Sequence, residues 1–337
     1  MKTQTIVFVS PGVAELQSSE VRDLNPGEVL VRLMVSSISS GTERANLIGD
    51  KNISTVAYYD KAIFPRVVGY SSSGVVEKVG EGVTDVRIGD RVALTGSIHS
   101  KYVVMDQKNV HKLADEISFE EAALWYIGTF PLAAIRKCRL EIGESAIVMG
   151  MGILGLIAVK LLQAAGAAPI IAVDPNPEKR ELALKHGADY AVDPFVPDFA
   201  EKVKTLTDGG ANVAIEVTGN GGGLNGALDC MKKFGRVALL GCTRNSNFSI
   251  DYYRKVHGPG ISLIGAHTNA RPSAESSAGY WTAHDDIMAM HRLSQCGRLD
   301  LSALIQETYS PEDAPQVFAR LAKDNAFPVV QFDWRRI

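Results

Sequence analysis

The sequence predicts an α/β protein in which a doubly wound parallel sheet is joined to a β-rich lobe. Three observations carry that expectation. Ser145 to Asp174, SAIVMGMGILGLIAVKLLQAAGAAPIIAVD, reads as strand, turn, helix and second strand. After it, strand and helix patterns alternate as far as Gly265, the mark of a parallel sheet covered on both faces. Before it, up to about Asp115, short β-branched runs follow one another with turns between them and almost no helix, which argues for a partly closed barrel or sandwich.

In chain order, Thr5–Val9, Val29–Val35, Gly74–Val79, Arg91–Leu94 and Ser100–Val104 have strand character, separated by Pro26-Gly27-Glu28, Gly80-Glu81-Gly82 and Gly89-Asp90. The irregular stretch from Ser39 to Pro65 is expected to hold one short helix, and loops of that length in a compact domain are usually functional or mobile. At Ser118 the period changes, with that serine capping Phe119-Glu120-Glu121-Ala122-Ala123-Leu124. Beyond the central segment, a helix is expected over Asn176–Lys185, a strand over Ala188–Val192 and a helix over Phe199–Thr207. Then come a strand over Val213–Glu216, the glycine turn Gly219–Gly223, a helix to Lys233, and strands over Arg236–Leu240 and Ile261–Gly265. A helix over Ala283–Cys296 and a last strand, Val329–Phe332, complete the chain; that strand has no place in the parallel sheet and returns to the first lobe.

Composition narrows the function. The chain has 337 residues, 46% hydrophobic and 22% charged, enough for two domains, and its formal net charge of -3 gives no reason to expect nucleic acid. No apolar run follows Met1-Lys2, and the most apolar stretch, Ala146–Ala172, is broken by glycines, Lys160 and Gln163, so neither a signal peptide nor a membrane span is expected. Cys138, Cys230, Cys242 and Cys296 are scattered without a C-x-x-C pair, which encodes neither a disulfide framework nor a structural zinc lobe and makes a reducing cytoplasm the default.

The central segment supplies the chemistry. Gly150-Met151-Gly152-Ile153-Leu154-Gly155 is a G-x-G-x-x-G between a strand and a helix, and Asp174 ends the next strand 19 residues past Gly155. Gly150 permits the tight turn, Gly152 lets backbone approach a pyrophosphate, and Gly155 lets helix and strand pack closely. The helix N-terminus offers free N–H groups and a positive dipole end to the phosphates. Asp174 would accept hydrogen bonds from ribose hydroxyls and repel a 2′-phosphate, which favours NAD(H) over NADP(H).

Together with Ser40-Gly41-Thr42-Glu43, Gly69-Tyr70-Ser71, Gly74-Val75-Val76-Glu77-Lys78-Val79-Gly80, Gly89-Asp90-Arg91-Val92, Glu216-Val217-Thr218-Gly219 and Gly235-Arg236-Val237, these motifs make the chain resemble the medium-chain dehydrogenase/reductases, the alcohol dehydrogenase and quinone reductase superfamily. The likeness covers nearly the whole length. It implies a GroES-like β-barrel catalytic domain built from residues 1–126 and 267–337 around a Rossmann domain of residues 127–266, an active site in the cleft, and a homodimer or homotetramer. It also implies cofactor contacts from Gly150, Gly152, Ile153, Leu154, Gly155, Asp174, Thr218, Gly241, Cys242, His267 and Thr268, and substrate contacts from Ser40, Trp125, Tyr126, Asn269 and Arg271.

The departures from zinc-dependent relatives bear on mechanism. Those members read Cys-Gly-(Thr/Ser)-Asp where this chain has Ser40-Gly41-Thr42-Glu43, and Gly-His-Glu where it has Gly69-Tyr70-Ser71; the third ligand position falls on Trp125. A catalytic zinc needs about three N, S or carboxylate ligands, so no catalytic metal is expected. The Gly-Tyr-Ser variant and the pattern from Gly96 to Val104 resemble a bacteriochlorophyllide a dehydrogenase-like subgroup, whose pigment substrate is not carried over. Without a metal, side chains must move the hydroxyl proton and stabilise charge on oxygen. Tyr70 leads the acid/base candidates, provided a nearby cation or donor lowers its pKa from about 10. His99 follows, with Thr42 at the relay position and Glu43 as a third possible base. The donor-rich Gly265–Pro272 stretch suggests a polyhydroxylated or anionic substrate, with Arg271 able to form a bidentate pair; a subunit contact is the other reading. The function expected is zinc-independent, NAD-dependent oxidation of a secondary alcohol, with an NADPH-dependent quinone or enone reductase, or a non-catalytic NAD(H)-binding protein, as alternatives.

Overall fold

The computed structural model describes residues 1–54 and 61–337. It divides into two compact units, one of Met1–Ile127, Met290–Gln295 and Asp300–Ile337, the other of Gly128–Ala289 and Cys296–Leu299. Residues 267–289, expected with the β lobe, therefore fall in the second unit. The cause is polar anchoring: Arg271 donates to the Thr129 carbonyl at 3.2 Å and Arg136 binds Asp286 at 2.8 Å. Among the described residues no helix is long and apolar enough to cross a membrane.

In the first unit, β1 (Lys2–Ser10) pairs with β2 (Val13–Glu20) and β4 (Arg66–Val67) in a three-stranded sheet. A seven-stranded sheet is built on β3 (Glu28–Ser37), β5 (Ser71–Val79), β6 (Arg91–Thr95), β7 (Tyr102–Asp106) and β8 (Val110–Lys112). β3 pairs antiparallel with both β5 and β7, strands far from it in the chain. Helix α1 (Ser40–Ile48) fills part of the long irregular stretch, whose residues 55–60 lie outside the described residues. Helix α2 (Phe119–Ala122) starts where expected, the Ser118 hydroxyl accepting from the Glu121 N–H at 3.1 Å. Alternate residues of the strands, among them Ile6, Phe8, Val31, Leu33 and Leu94, bury one face into a shared core.

Helix α3 (Trp125–Lys137) leads into the second unit. There β9 (Ala146–Met149), α4 (Ile153–Ala165), β10 (Ile170–Val173), α5 (Pro177–Lys185), β11 (Tyr190–Val192), α6 (Phe199–Leu206), β12 (Ala211–Glu216), α7 (Gly221–Asp229), β13 (Met231–Leu239) and β14 (Ser262–Gly265) alternate. The six strands form one parallel sheet in the order β11-β10-β9-β12-β13-β14, so the order reverses beside β9. β9 and β10 are buried throughout, which is why their sequences are unbroken apolar runs. Helix α7 ends at Asp229 rather than running on to Lys233, because Met231 pairs with Ala211 and the chain is already extended there.

Helix α8 (Ala283–Gln295) follows, and the chain then returns to the first unit through β15 (Glu307–Tyr309), α9 (Ala314–Lys323) and β16 (Val330–Asp333). β16 pairs antiparallel with β3, as the expected return of the last strand requires. Phe318 of α9, Phe332 of β16 and Trp334 close the core of this unit.

Candidate functional site

The turn after β9 is shaped by missing side chains. Gly150 has φ +98°, and a Cβ there would meet Thr218 Cγ2 at 3.1 Å and Val217 Cγ2 at 3.2 Å. A Cβ on Gly155 would lie 1.9 Å from the Gly150 carbonyl oxygen, so only glycine lets α4 begin this close to the strand. Gly152, the N-cap of α4, has nothing within 4 Å of its would-be Cβ and makes no side-chain cap, which leaves the helix N–H groups open beside free space. Ile153 and Leu154 open that helix.

Asp174 braces this turn from the end of β10. Its Oδ2 accepts from the Met151 N–H and its Oδ1 from the Asn176 N–H, both at 2.8 Å. Each carboxylate oxygen keeps lone-pair capacity beyond its one backbone bond. Arg180, six residues on, is engaged by the Asp174 and Pro175 carbonyls at 2.7 and 2.9 Å and by Asp193 at 3.3 Å.

Beyond β12 the buried Glu216 accepts from the Thr218 N–H at 2.8 Å, from the Thr218 hydroxyl, and from the Gly219 N–H at 3.3 Å. Burial pushes its pKa above the usual carboxylate range despite those donors. A Cβ on Gly241 would lie 2.4 Å from the Gly219 nitrogen, so Thr218, Gly241 and the exposed Cys242 come from two loops in van der Waals contact. After β14, His267 Nδ1 accepts from the Asn269 N–H at 3.1 Å, which assigns the proton of the neutral ring to Nε2. Burial, then Lys137 and Arg244, lower the His267 pKa.

Arg271, expected to bind substrate, is otherwise occupied. Its Nε donates to the Thr268 carbonyl at 3.0 Å, its Nη2 reaches Thr129, and its Nη1 stands 3.8 Å from the fully buried Asp286. Asp286 also holds Arg136, whose guanidinium lies 3.5 Å from the centroid of Trp281. Arg271 thus anchors the Thr268–Ala270 loop instead of facing a ligand; Asn269 is exposed on that loop.

In the first unit, Tyr70, Thr42, Glu43 and Tyr126 come together. The Tyr70 hydroxyl donates to Ser39 Oγ, the Thr42 side chain lies near enough to act on it, and its ring meets Tyr126 edge-on with centroids 5.8 Å apart. Ser39 is the N-cap of α1, yet its hydroxyl caps nothing, being engaged by Tyr70. Ser40, half-buried, opens the helix beside it. The cation or donor expected to lower the Tyr70 pKa is outweighed: the nearby hydroxyls lower it, but less than burial raises it. Burial raises its pKa well above the ordinary phenol value although the side chain keeps some accessible surface, and the Glu43 carboxylate raises it further.

His99 lies behind this cluster, wholly enclosed. Its Nε2 is 3.0 Å from Glu43 Oε2 and its Nδ1 2.7 Å from Ser36 Oγ, which in turn accepts from Trp334 Nε1 at 2.8 Å. With Nε2 protonated every partner is satisfied: the Trp334 N–H donates to Ser36, the Ser36 hydroxyl to His99, and His99 to Glu43. Glu43 Oε1 accepts from the Ser39 N–H at 2.8 Å, closing the chain onto the Tyr70 partner. A Cβ on Gly69, at φ +96°, would lie 2.7 Å from the His99 nitrogen, so glycine is required where the chain passes the ring. His99 therefore braces Glu43 and does not reach a ligand directly. Trp125 is also enclosed rather than lining an open wall, 5.4 Å from the His291 ring, with its indole N–H buried and unsatisfied. Ser71, Ser72 and Ser73 tie β5 to its surroundings through the Ala123 carbonyl, Ser97 and the Phe119 carbonyl. Sequence reasoning missed Ser36, Ser39 and Trp334; a serine beside a tyrosine in space but 31 residues away carries no local signal.

Zinc does not fit this donor set. Hydroxyls of Ser39, Thr42 and Tyr70 are poor zinc ligands, and the two better ones, His99 and Glu43, are bound to each other. Among the described residues no group of three or more His, Cys, Asp or Glu is arranged to hold a metal ion.

A six-stranded parallel sheet whose order reverses beside a glycine turn defines a dinucleotide-binding fold. Residues 25–115 match the alcohol dehydrogenase GroES-like domain and residues 154–279 the family described as zinc-binding dehydrogenase. The chain is 30% identical to the L-threonine 3-dehydrogenase of Thermococcus kodakarensis, over 93% of this chain and 92% of that protein. It is 28% identical to the sorbitol dehydrogenase of Bacillus subtilis, over 67% of this chain and 71% of that one. The crystal structure of benzyl alcohol dehydrogenase from Acinetobacter calcoaceticus shares the fold, with a TM-score of 0.84 at 21% identity over 99% of both chains. The chain belongs to the zinc-type alcohol dehydrogenase, or medium-chain dehydrogenase/reductase, superfamily, whose members are NAD(P)-dependent oxidoreductases acting on CH–OH groups.

Proposed function

We propose that this chain is a zinc-independent, NAD-dependent dehydrogenase that interconverts a secondary alcohol, of sugar or polyol type, and its ketone. The observation that carries the reading is the Tyr70 phenol, which stands at a motif position where zinc-dependent relatives have a metal ligand and is hydrogen-bonded to the Ser39 hydroxyl beside Glu43. The NAD preference is supported by Asp174 at the end of β10 and by Arg180, which backbone carbonyls and Asp193 hold. The relatives named for L-threonine and for sorbitol agree with a hydroxyl-bearing substrate.

Bound NAD supplies the hydride acceptor. Gly150, Gly152 and Gly155 keep the turn open and would admit its pyrophosphate, which the N–H groups of the helix that Ile153 and Leu154 start would hold. Asp174 would orient the ribose, and Thr218, Gly241 and Cys242 would line its further course. Tyr70, kept protonated by burial and by Glu43, would turn its one O–H from Ser39 to the reacting oxygen and be the proton source when a ketone is reduced. Thr42 passes the proton on, Ser39 and Tyr126 fix the phenol, and His99 fixes Glu43. Because the phenol is a weak acid here, alcohol oxidation gains rate as pH rises.

Full-length protein treated with EDTA is given NAD and a panel of secondary alcohols and polyols. NADH formation without added zinc is expected, and Tyr70→Phe should lose about 10²- to 10⁴-fold in kcat. Activity that depends on added zinc, or Tyr70→Phe with unchanged turnover, refutes the reading. A preference for NADPH with enone substrates would favour a reductase of activated C=C bonds.

A further inference from the structure

The second unit contains a buried cation without an anion. Lys137, at the last turn of α3, is 8% exposed, and its Nζ donates to the Gly265 carbonyl at 3.0 Å. It also stands 6.0 Å from the centroid of Tyr280. An ammonium has three N–H groups, and among the described residues two of them have no protein acceptor and no carboxylate pairs with Lys137. Buried donors left so cost free energy that a ligand oxygen would recover. The acid beside Arg271, Asp286, is already bound by Arg136 and Arg271.

The loop that Lys137 touches carries further unengaged donors. His267 presents Nε2–H, since its Nδ1 accepts from Asn269, and among the described residues Thr268 is engaged only through its carbonyl, which leaves its hydroxyl available. Lys137, Arg271 and Arg244 all add positive potential here: the first two act on one another, and Lys137 and Arg244 both act on His267. The loop follows β14 at the carboxyl end of the parallel sheet, the edge where ligands bind in such folds. β14 is three strands from β9, about 14 Å at the usual spacing of about 4.8 Å, too far for the phosphates held at the glycine turn.

We propose that Lys137, His267 and Thr268 form a subsite for an anionic group of the substrate, a carboxylate or a phosphate. The ammonium and the imidazole Nε2–H donate to its oxygens, while Arg271 holds the loop in place from behind. This rests on the dehydrogenase reading, and it moves the anion-recognising role that the sequence suggested for Arg271 to a lysine 134 positions earlier.

The full chain saturated with NADH is titrated with inorganic phosphate and, separately, with malonate, followed calorimetrically. At least one anion should bind without displacing NADH. Lys137→Met should weaken that binding about tenfold or more while leaving NADH affinity unchanged, and Lys137→Gln should behave alike if the methionine variant is poorly folded. The stronger of the two anions tells phosphate from carboxylate. Displacement of NADH by phosphate, equal binding by wild type and variant, or no binding of either anion to the wild type overturns the proposal. Absence of NADH binding would overturn the cofactor reading alone, because the anion titration runs equally well without it.

Discussion

The glycine turn of the second unit and the hydroxyl cluster of the first are built on opposite terms. At the turn the working groups are backbone N–H donors, which every residue has, and the sequence needs only to omit side chains at Gly150, Gly152 and Gly155. In the cluster the working groups are side chains drawn from β3, α1, the Gly69-Tyr70 bend, the loop holding His99 and the last turn at Trp334. The first arrangement is short-range and fails by overcrowding. The second is long-range and fails by leaving a buried polar group without a partner.

That contrast breaks first at the turn. Gly155→Ala forces a Cβ to within 1.9 Å of a carbonyl oxygen, whereas Gly152→Ala places one in open space. Gly155→Ala should therefore cost about 3 kcal/mol or more in urea unfolding, at the upper end for overpacking. Gly152→Ala should cost within about 1 kcal/mol, yet weaken NADH in a fluorescence titration. Equal stabilities for the two variants would show that the turn is not set by Cβ exclusion.

The next effect lies in the cluster. Glu43→Ala removes the acceptor of both His99 Nε2–H and the Ser39 N–H in a region closed to water. Two stranded donors at about 1–3 kcal/mol each give an expected loss of about 3 kcal/mol, read from the urea midpoint. Ser36→Ala, which leaves the His99–Glu43 bond intact, should cost about half as much. A smaller loss for Glu43→Ala than for Ser36→Ala would mean that the network is not centred on the carboxylate.

Asp174 sits between the two modes, since its side chain serves a backbone turn. Asp174→Asn keeps a carbonyl acceptor for one of Met151 and Asn176 and loses the other bond. Stability should fall by about 1 kcal/mol, and the ratio of NADH to NADPH affinity should drop about tenfold as the charge facing a 2′-phosphate disappears. An unchanged ratio in paired titrations would remove Asp174 from cofactor choice.

The same contrast explains what could be read in advance. β9, β10 and α4 were legible because burial on both faces writes unbroken apolar runs and because glycine positions are fixed by contact. The start of α5 was legible at Asn176, whose side chain accepts from the Lys179 N–H at 3.2 Å. The overrun of α7 to Lys233 came from reading local pattern where tertiary pairing of Met231 with Ala211 decided. Tyr70, Thr42 and Glu43 could be named from motif positions, but their partners could not: Ser39, Ser36 and Trp334 converge only after folding. Arg271 was hard to read for the same reason, because nothing local says that Asp286 and Thr129 engage it while Lys137 has only the Gly265 carbonyl among the described residues.

The smallest expected effect tests the electrostatics of the cluster alone. Tyr70 holds its proton more tightly in the folded chain than an unfolded tyrosine, whose pKa is about 10, owing to burial and the Glu43 carboxylate. Below about pH 10 both states keep the proton and stability is unaffected. Above it the unfolded state gives up its proton first, so stability that is fully present at neutral pH declines as the solution becomes more alkaline. Allowing for the part of the ring open to solvent, the decline over one pH unit should stay under about 1 kcal/mol. The measurement is the difference in urea midpoint between wild type and Tyr70→Phe from pH 9 to 11. It should move against the wild type as pH rises, since phenylalanine has no proton to lose in either state. A difference that stays flat, or moves the other way, would mean that the phenol ionises as readily folded as unfolded. Tyr70 would then be no weaker an acid than a free tyrosine, which its burial and the carboxylate beside it argue against.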